Sequence, residues 1–474
     1  MLDELAEKII AGFLNDCNKF HKINKQSLKN IVKADLFEIL QPTLSTLQFH
    51  HSDKSGPHSF SSVSKNLIKI AEERLGRVIE AVEAAVDASL YYGNHTLWNH
   101  EGKVFDLNAL SGDSHRGGFR PFLLTGPGLK PTVIKFADPR PYQFLAEILK
   151  RLSEALSVDL NPPACFAAPD NQWYCVDYVA ENDHHRPCDP SLLMFGMGVL
   201  TSVAFCLGFV DLHLENIIVK DNKPIIIDPE CIFYCFSDGE SVSERLLNTG
   251  FLSHNVHLSA LRGGISSAVP LYDFSMCVDE DGFLRYKKPV SSHRNKVKLA
   301  DGSYADPCNY RNEILAGYHA GYRWFVENAD QLSEFIIENV PDDFRVRFLA
   351  RKTRHYASVI YMLNLPIEED YNLWMEYVLK RFRNSGFFPE SISEKLINAE
   401  IGDIKRRDIP YFWTRAGENG IVTHQSGVVH HLNLKGTVRS RAINHLQMLR
   451  DLNFDEHIRT INNFLDIDIS LVGA

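Results

Sequence analysis

Apolar positions recur along this chain with two distinct periods. Between Ser64 and Leu90, residues Leu67, Ile70, Ala71, Leu75, Val78, Ile79 and Val82 return every three or four places, which predicts a long amphipathic helix. Residues 1–100 read as mainly helical, with the polar stretch His50–Ser64 looping between helices. From Val104 the period shortens. Phe119–Thr125, the turn Gly126-Pro127-Gly128 and Lys130–Phe136 predict a β-hairpin, a helix is expected over Tyr142–Leu156, and Trp173–Val179 reads as a further strand. Ser191–Val210 then runs for twenty residues without a charge, the length of a membrane span. Gly196, Gly198 and Gly208 interrupt it, and Asp189-Pro190 gives it an ordinary helix start. A core helix, apolar on all its faces, is the expectation.

Two more apolar runs, Ile217–Val219 and Ile225–Ile227, flank the polar turn Lys220-Asp221-Asn222-Lys223 and predict a second hairpin. Asp211-Leu-His213-Leu-Glu-Asn216 precedes it and Asp228-Pro-Glu230 follows it. Taken singly, these polar residues are turn formers and N-caps. As an ordered set they place Asp228 back beside Asn216, where two oxygen ligands suit a magnesium ion on ATP phosphates. Asp211 and Asn216 also keep the spacing of a kinase catalytic loop. Lys135, ending the apolar Val133-Ile134 strand, then suits the phosphates, and Glu147 on the following helix is expected to pair with it. Before the first hairpin, the turn Ser111–Gly118 offers backbone amides around Gly112, Ser114 and Gly117 that can cover phosphates.

Composition removes several classes. With 45% hydrophobic and 23% charged residues, the 474-residue chain can bury a sizeable core in one large domain or two to three smaller ones. A net charge of −10 without a basic block argues against nucleic acid and anionic membranes as partners. Nine cysteines without a Cys-x-x-Cys pair suggest reduced thiols in a cytoplasm, and no zinc is expected. The acidic start, Met-Leu-Asp-Glu-Leu-Ala-Glu, lacks the basic and apolar regions of a signal peptide.

Several motifs in order, over residues 105–465, resemble the dehydratase domain of class II lanthipeptide synthetases, the LanM type. Gly112-Asp113-Ser114-His115 followed by Gly117-Gly118 looks like the family's Gly-Asp-x-His-x-Gly-Gly loop, and Lys135 sits where the family has a strand-ending lysine. Asp211–Asn216 fits Asp-x-His-x-x-Asn, and Asp228-Pro-Glu230 fits Asp-x-Glu. Asn248–Leu252, His257–Gly264, Arg347-Phe-Leu-Ala-Arg351-Lys-Thr353-x-x-Tyr356, and Glu400 followed by Asp408-Ile-Pro-Tyr-Phe412 continue the series.

The resemblance implies an α+β, kinase-like two-lobed core: a helical region over 1–100, a small lobe over 101–182 and a large lobe with a helical extension over 183–474. It implies two steps in one site. ATP and Mg2+ phosphorylate Ser or Thr of a ribosomal precursor peptide carrying a leader, and elimination of phosphate leaves dehydroalanine or dehydrobutyrine. Asp211 then orients or deprotonates the hydroxyl with support from His213, Asn216 and Asp228 ligate magnesium with Glu230 beside them, and Lys135 holds ATP phosphates. Arg347 suits the departing phosphate, with Thr353 expected near the same helix face. Asp113, His115 and Glu400 carry over as family positions without a derived role.

Two features depart from the family. Its lysine motif usually continues with Pro-Arg, whereas Lys135 is followed by Phe-Ala-Asp-Pro139-Arg140. The zinc-dependent cyclase domain and its Cys-His-Gly and Trp-Cys-x-Gly motifs do not occur in these 474 residues, so a stand-alone dehydratase without ring formation is expected, with separate maturation enzymes as possible partners. A kinase that stops at the phosphorylated product, and a non-catalytic peptide-binding pseudokinase, are the competing readings.

Overall fold

The computed structural model describes residues 23–36, 39, 65–96, 104–110, 114–116, 118–180, 190–234, 240–262, 276–278, 284–286, 295, 297–364, 371–384, 393–424, 427–432 and 435–468. It is a mixed α+β structure. Helix α1 (Lys65–His95) carries the predicted stripe, burying Leu75, Val78, Ile79 and Val82 against a helix over 25–36 and one face of a five-stranded sheet. That antiparallel sheet comprises β1 (Asp106–Ala109), β2 (Phe122–Thr125), β3 (Thr132–Lys135), β4 (Cys165–Ala167) and β5 (Tyr174–Asp177), in the order β1-β2-β3-β5-β4. The first predicted hairpin is β2–β3, with Phe122 opposite Ile134, and it delivers Lys135 at its end.

Helix α2 (Arg140–Leu156) follows and turns Leu145, Ile148 and Leu152 into the main core, which α3 (Pro190–Cys206) also enters. Along α3 almost every position is buried, because α4 (Arg311–Glu327) lies against it at backbone contact. A Cβ on Gly198 would fall 2.0 Å from the Ile314 carbonyl oxygen, and one on Gly317 would fall 2.0 Å from that of Phe195, so only glycine permits this crossing. The uncharged run therefore serves a core helix of 17 residues. No helix among the described residues is long and apolar enough to cross a membrane.

The second predicted hairpin is β6 (Ile217–Lys220) with β7 (Lys223–Ile226), and its turn residues Asp221 and Asn222 hold φ of 50° and 61°. These left-handed angles suit Asp and Asn and the twist of a two-residue hairpin. After α5 (Ala329–Asn339) comes a sheet the apolar pattern did not announce: β8 (Arg345–Phe348), then, beyond three helices, β9 (Phe412–Arg415), β10 (Gly420–Thr423) and β11 (Gly427–His431), all antiparallel. The intervening α6 (Thr353–Leu363), α7 (Tyr371–Asn384) and α8 (Glu394–Lys405) share a small core of Tyr356, Leu363, Phe382 and Ile404. Helices α9 (Val438–Met448) and α10 (Phe454–Leu465) return to the main core.

Candidate active site

The loop between α3 and β6 is folded on itself. Asp211 holds φ of 66°, and its carbonyl accepts a hydrogen bond from Asn216 Nδ2 at 2.6 Å. This leaves Asn216 Oδ1 as an acceptor. His213 Nδ1 caps the short turn Leu214–Asn216 by accepting from the Glu215 amide, and its Nε2 stands 3.6 Å from Asp211 Oδ1. Gly250 backs the loop: with φ of 89°, its missing Cβ would come within 2.7 Å of the Leu212 backbone.

The hairpin then does what its sequence predicts. The Ile227 amide bonds the Asn216 carbonyl at 2.9 Å, setting Asp228 beside the loop. From the five-stranded sheet, Lys135 Nζ donates to Asp228 Oδ1 at 2.9 Å and to the Ile227 carbonyl at 2.8 Å. Asp211, Asn216, Asp228 and Lys135 thus converge from three segments. Burial raises the Asp211 carboxyl above the usual range despite nearby His213 and Arg347, which favours a carboxylate able to accept a proton.

A second group of side chains meets this one at Glu230. Arg347, 8% exposed on β8, bonds Glu230 Oε1 through Nη1, while the Tyr411 hydroxyl donates to Oε2 at 2.9 Å. The same strand is tied by main chain, Arg347 N to Glu230 O at 3.0 Å. Burial alone would lift the Glu230 carboxyl; the charges of Arg347 and Lys135 and the Tyr411 bond outweigh it and hold it low. His115 lies on the other side of Arg347. Its Nδ1 bonds the Ile409 carbonyl at 2.9 Å and its Nε2 is 3.4 Å from Arg347 Nη2. Burial, then the Arg347 charge, keeps His115 well below the ordinary imidazole value, so it is neutral, with Nδ1–H donating to Ile409 and Nε2 left to accept from Arg347.

Several expectations change. Glu147 does not meet Lys135: it bonds Arg151 at 3.0 Å one helical turn on, half exposed, because the lysine's carboxylate comes from the Asp228 loop. Ser114 does not face an open phosphate site. Its hydroxyl is buried between Arg74 and Asp408. Arg347 and Thr353 do not share a helix face, since Arg347 is on β8 and Thr353 opens α6. Glu230, expected near the metal, has both oxygens engaged by Arg347 and Tyr411. Glu400 is fully buried on α8, taking Arg351 Nε at 2.9 Å and the Tyr356 hydroxyl at 2.6 Å, a tie between α8 and α6. Arg140 opens α2 and bonds Asp138 and Asp343. Gly112, Asp113 and Gly117 lie outside the described residues.

Tyr411 and Arg116 were missed by sequence reading. Arg116, at φ of 51°, lies 4.5 Å over the Tyr411 ring, and Arg347 lies 5.2 Å from the same ring. Tyr411 lies within Asp408-Ile-Pro-Tyr-Phe412 and Arg116 directly follows His115, but neither position marks a stacking role in sequence.

Residues 66–415 match the family described as "Domain of unknown function (DUF4135)". The chain is also similar to a lacticin 481/lactococcin biosynthesis protein, LcnDR2, of Lactococcus lactis subsp. lactis, at 25% identity over 245 residues, 47% of this chain. The match spans 26% of that relative's length.

Proposed function

Given that the chain belongs to the family described as "Domain of unknown function (DUF4135)", we propose that it modifies a ribosomally made precursor peptide, as an ATP-dependent dehydratase of lanthipeptide type. The similarity to a lacticin 481 biosynthesis protein supports the pathway class. One observation carries the chemistry: Lys135 and Asp228, 93 residues apart, meet at 2.9 Å beside Asn216. We read the five-stranded sheet with α2 as the small lobe of a two-lobed kinase-like core, and the α3–α4 region as its large lobe.

Asn216 Oδ1 and Asp228 form a hard-oxygen pair that fits Mg2+, an ion that takes its remaining ligands from phosphates and water. When bound, the ion neutralises charge on the ATP phosphates. Lys135 supports the same phosphates. Asp211, raised by burial and 3.6 Å from His213, receives the Ser or Thr hydroxyl proton as the oxygen attacks phosphorus. In the second step, once Asp211 has released the first proton to solvent, the α-proton leaves to the Asp211–His213 pair, the C–H electrons form the alkene, and the Cβ–O bond breaks with its electrons on phosphate. Arg347, oriented by neutral His115 and Glu230, binds that phosphate as it departs.

The test is intact-mass spectrometry of the small peptide encoded beside this protein, after incubation with ATP and magnesium. Losses of about 18 Da per site are expected for the wild type, from net removal of water, and gains of about 80 Da for Arg347→Ala, from retained phosphate. A wild type giving only the 80 Da gain is a kinase.

A further inference from the structure

Beside Glu230 lies a cleft between β8, β9, α2 and the loop at Arg116. Three guanidinium groups line it: Arg116, Arg345 and Arg347. Arg345 and Arg347 are two apart on β8 and so share a face, and Trp413 on β9 is the cross-strand partner of Arg347. The two carboxylates that line it among the described residues are already occupied. Glu230 is taken by Arg347 and Tyr411, and Asp138 by Arg140 and the Arg345 amide. Arg116 donates instead to the Phe136 carbonyl at 2.7 Å, and Arg345 to Gln172 Oε1 at 3.0 Å. Among the described residues neither arginine forms an ion pair. In addition, Arg347 Nε, Arg116 Nε and Trp413 Nε1 are buried donors that find no acceptor among the described residues, and Arg347 and Trp413 are each only 8% exposed.

Surplus positive charge and orphaned buried donors around one cleft require an acceptor carrying negative charge. We propose that Arg116, Arg345 and Trp413 extend Arg347 into a binding site for a phosphate monoester, which holds the phosphorylated Ser or Thr side chain of the peptide apart from the nucleotide. This rests on the dehydratase reading for its substrate, but not for its ligand chemistry. The site gives the phosphorylated side chain a place to settle once the phosphoryl group has left ATP. Arg116 and Arg345 are then specificity-determining residues for the second step.

The experiment measures binding to the full chain without magnesium or nucleotide, using inorganic phosphate, a phosphoserine peptide, its unphosphorylated twin and ATP as separate probes. Phosphate and the phosphopeptide are expected to bind, the twin to bind at least about tenfold more weakly, and Arg345→Gln and Arg116→Gln each to weaken phosphopeptide binding about tenfold, the scale of one charge-assisted hydrogen bond. Trp413→Phe, which keeps an aromatic ring but deletes the N–H and part of the ring volume, is expected to weaken it several-fold. Arg323→Gln, on the far-off exposed face of α4, is expected to change nothing. Unfolding curves for each variant separate lost binding from lost structure. Unchanged phosphopeptide affinity in a folded Arg345→Gln or Trp413→Phe protein overturns the proposal, as does ATP binding that is lost in parallel with phosphate binding. Arginine-dependent phosphate binding in a protein that leaves every peptide mass unchanged would keep the site and discard the dehydratase reading. Dehydration that is normal in Arg345→Gln would do the reverse.

Discussion

Two buried arginine clusters sit at opposite ends of one stretch of chain, Ser114–Arg116. At Ser114, Arg74 is saturated: Nε meets Asp35, Nη1 meets Asp408 and the Arg407 carbonyl, and Nη2 meets Asp35 and the Ser114 hydroxyl. At His115–Arg116, Arg347 has one carboxylate, an imidazole and a ring, with Nε left over, and Arg116 likewise keeps an idle Nε. The residue chemistry is the same. In the first cluster every donor is consumed by the fold, so it pins helix α1 to the segment before β9; in the second, donors are held back, and an exposed cleft opens beside them. A buried arginine that is fully paired reads as architecture, and one that is incompletely paired reads as a binding group.

The contrast can be broken by substitution. The largest effect is expected at the loop itself: Asp228→Ala should abolish both mass changes, with turnover down on the order of a thousandfold or more. Retained phosphorylation would remove Asp228 and Lys135 from the site. Arg74→Leu should act on stability alone, costing about 3–5 kcal/mol because buried Asp35 and Asp408 lose the guanidinium that joins them, although Arg120 still reaches Asp35. Denaturant titration reads that loss, and the folded fraction should still dehydrate peptide. Arg347→Ala should slow elimination on the order of a hundredfold while phosphopeptide accumulates. It also takes the guanidinium from buried Glu230, leaving it the Tyr411 hydrogen bond and the more distant Lys135 charge, so the double variant Arg347→Ala, Glu230→Gln should regain stability without regaining elimination; recovery of both would make the pair architectural.

Smaller effects sharpen the picture. His457 is buried with its Nδ1 at 2.6 Å from the Tyr318 hydroxyl, and burial, then His445, lowers it to about 4. The unfolded imidazole titrates near 6.5, so between these values the unfolded chain binds the extra proton and stability falls as pH drops from about 6.5 towards 4. His457→Gln should flatten that fall by up to about 1.4 kcal/mol per pH unit, measured by denaturant titration across the range. An unchanged slope would show that His457 titrates normally. Smallest of all, Glu147→Gln should shift stability by less than about 0.5 kcal/mol and leave both steps intact, since its half-exposed partner is Arg151.

What the sequence disclosed depended on distance along the chain. The hairpin β6–β7 was readable because its two apolar runs, its turn and its flanking Asp228 all lie within a few residues of Asn216. Lys135 was readable as a strand end. Glu147 was misjudged because local periodicity gives the helix but not which of its faces turns towards Lys135. Ser114 was misjudged because its partner Asp408 is 294 residues away, and a hydroxyl beside glycines looks the same whether it meets a ligand or a buried aspartate. The sheet β8–β11 was invisible for a related reason. Its short strands are split by three helices, and Arg345-Val-Arg347-Phe348 alternates over too few positions to stand out. The stacked Arg116, Tyr411 and Arg347 belong to three such segments.

The crossing of α3 and α4 has a mechanical consequence. With Gly198 and Gly317 each pressed to a facing carbonyl, the two helices have no side-chain cushion along which to slide. They form a stiff keel. The Asp211 loop hangs directly from the end of α3 and is therefore anchored, whereas β8 reaches the site through its bonds to Glu230. Under the proposed chemistry, a displacement that admits a peptide is expected on the Arg347 side rather than at the Asp211 loop.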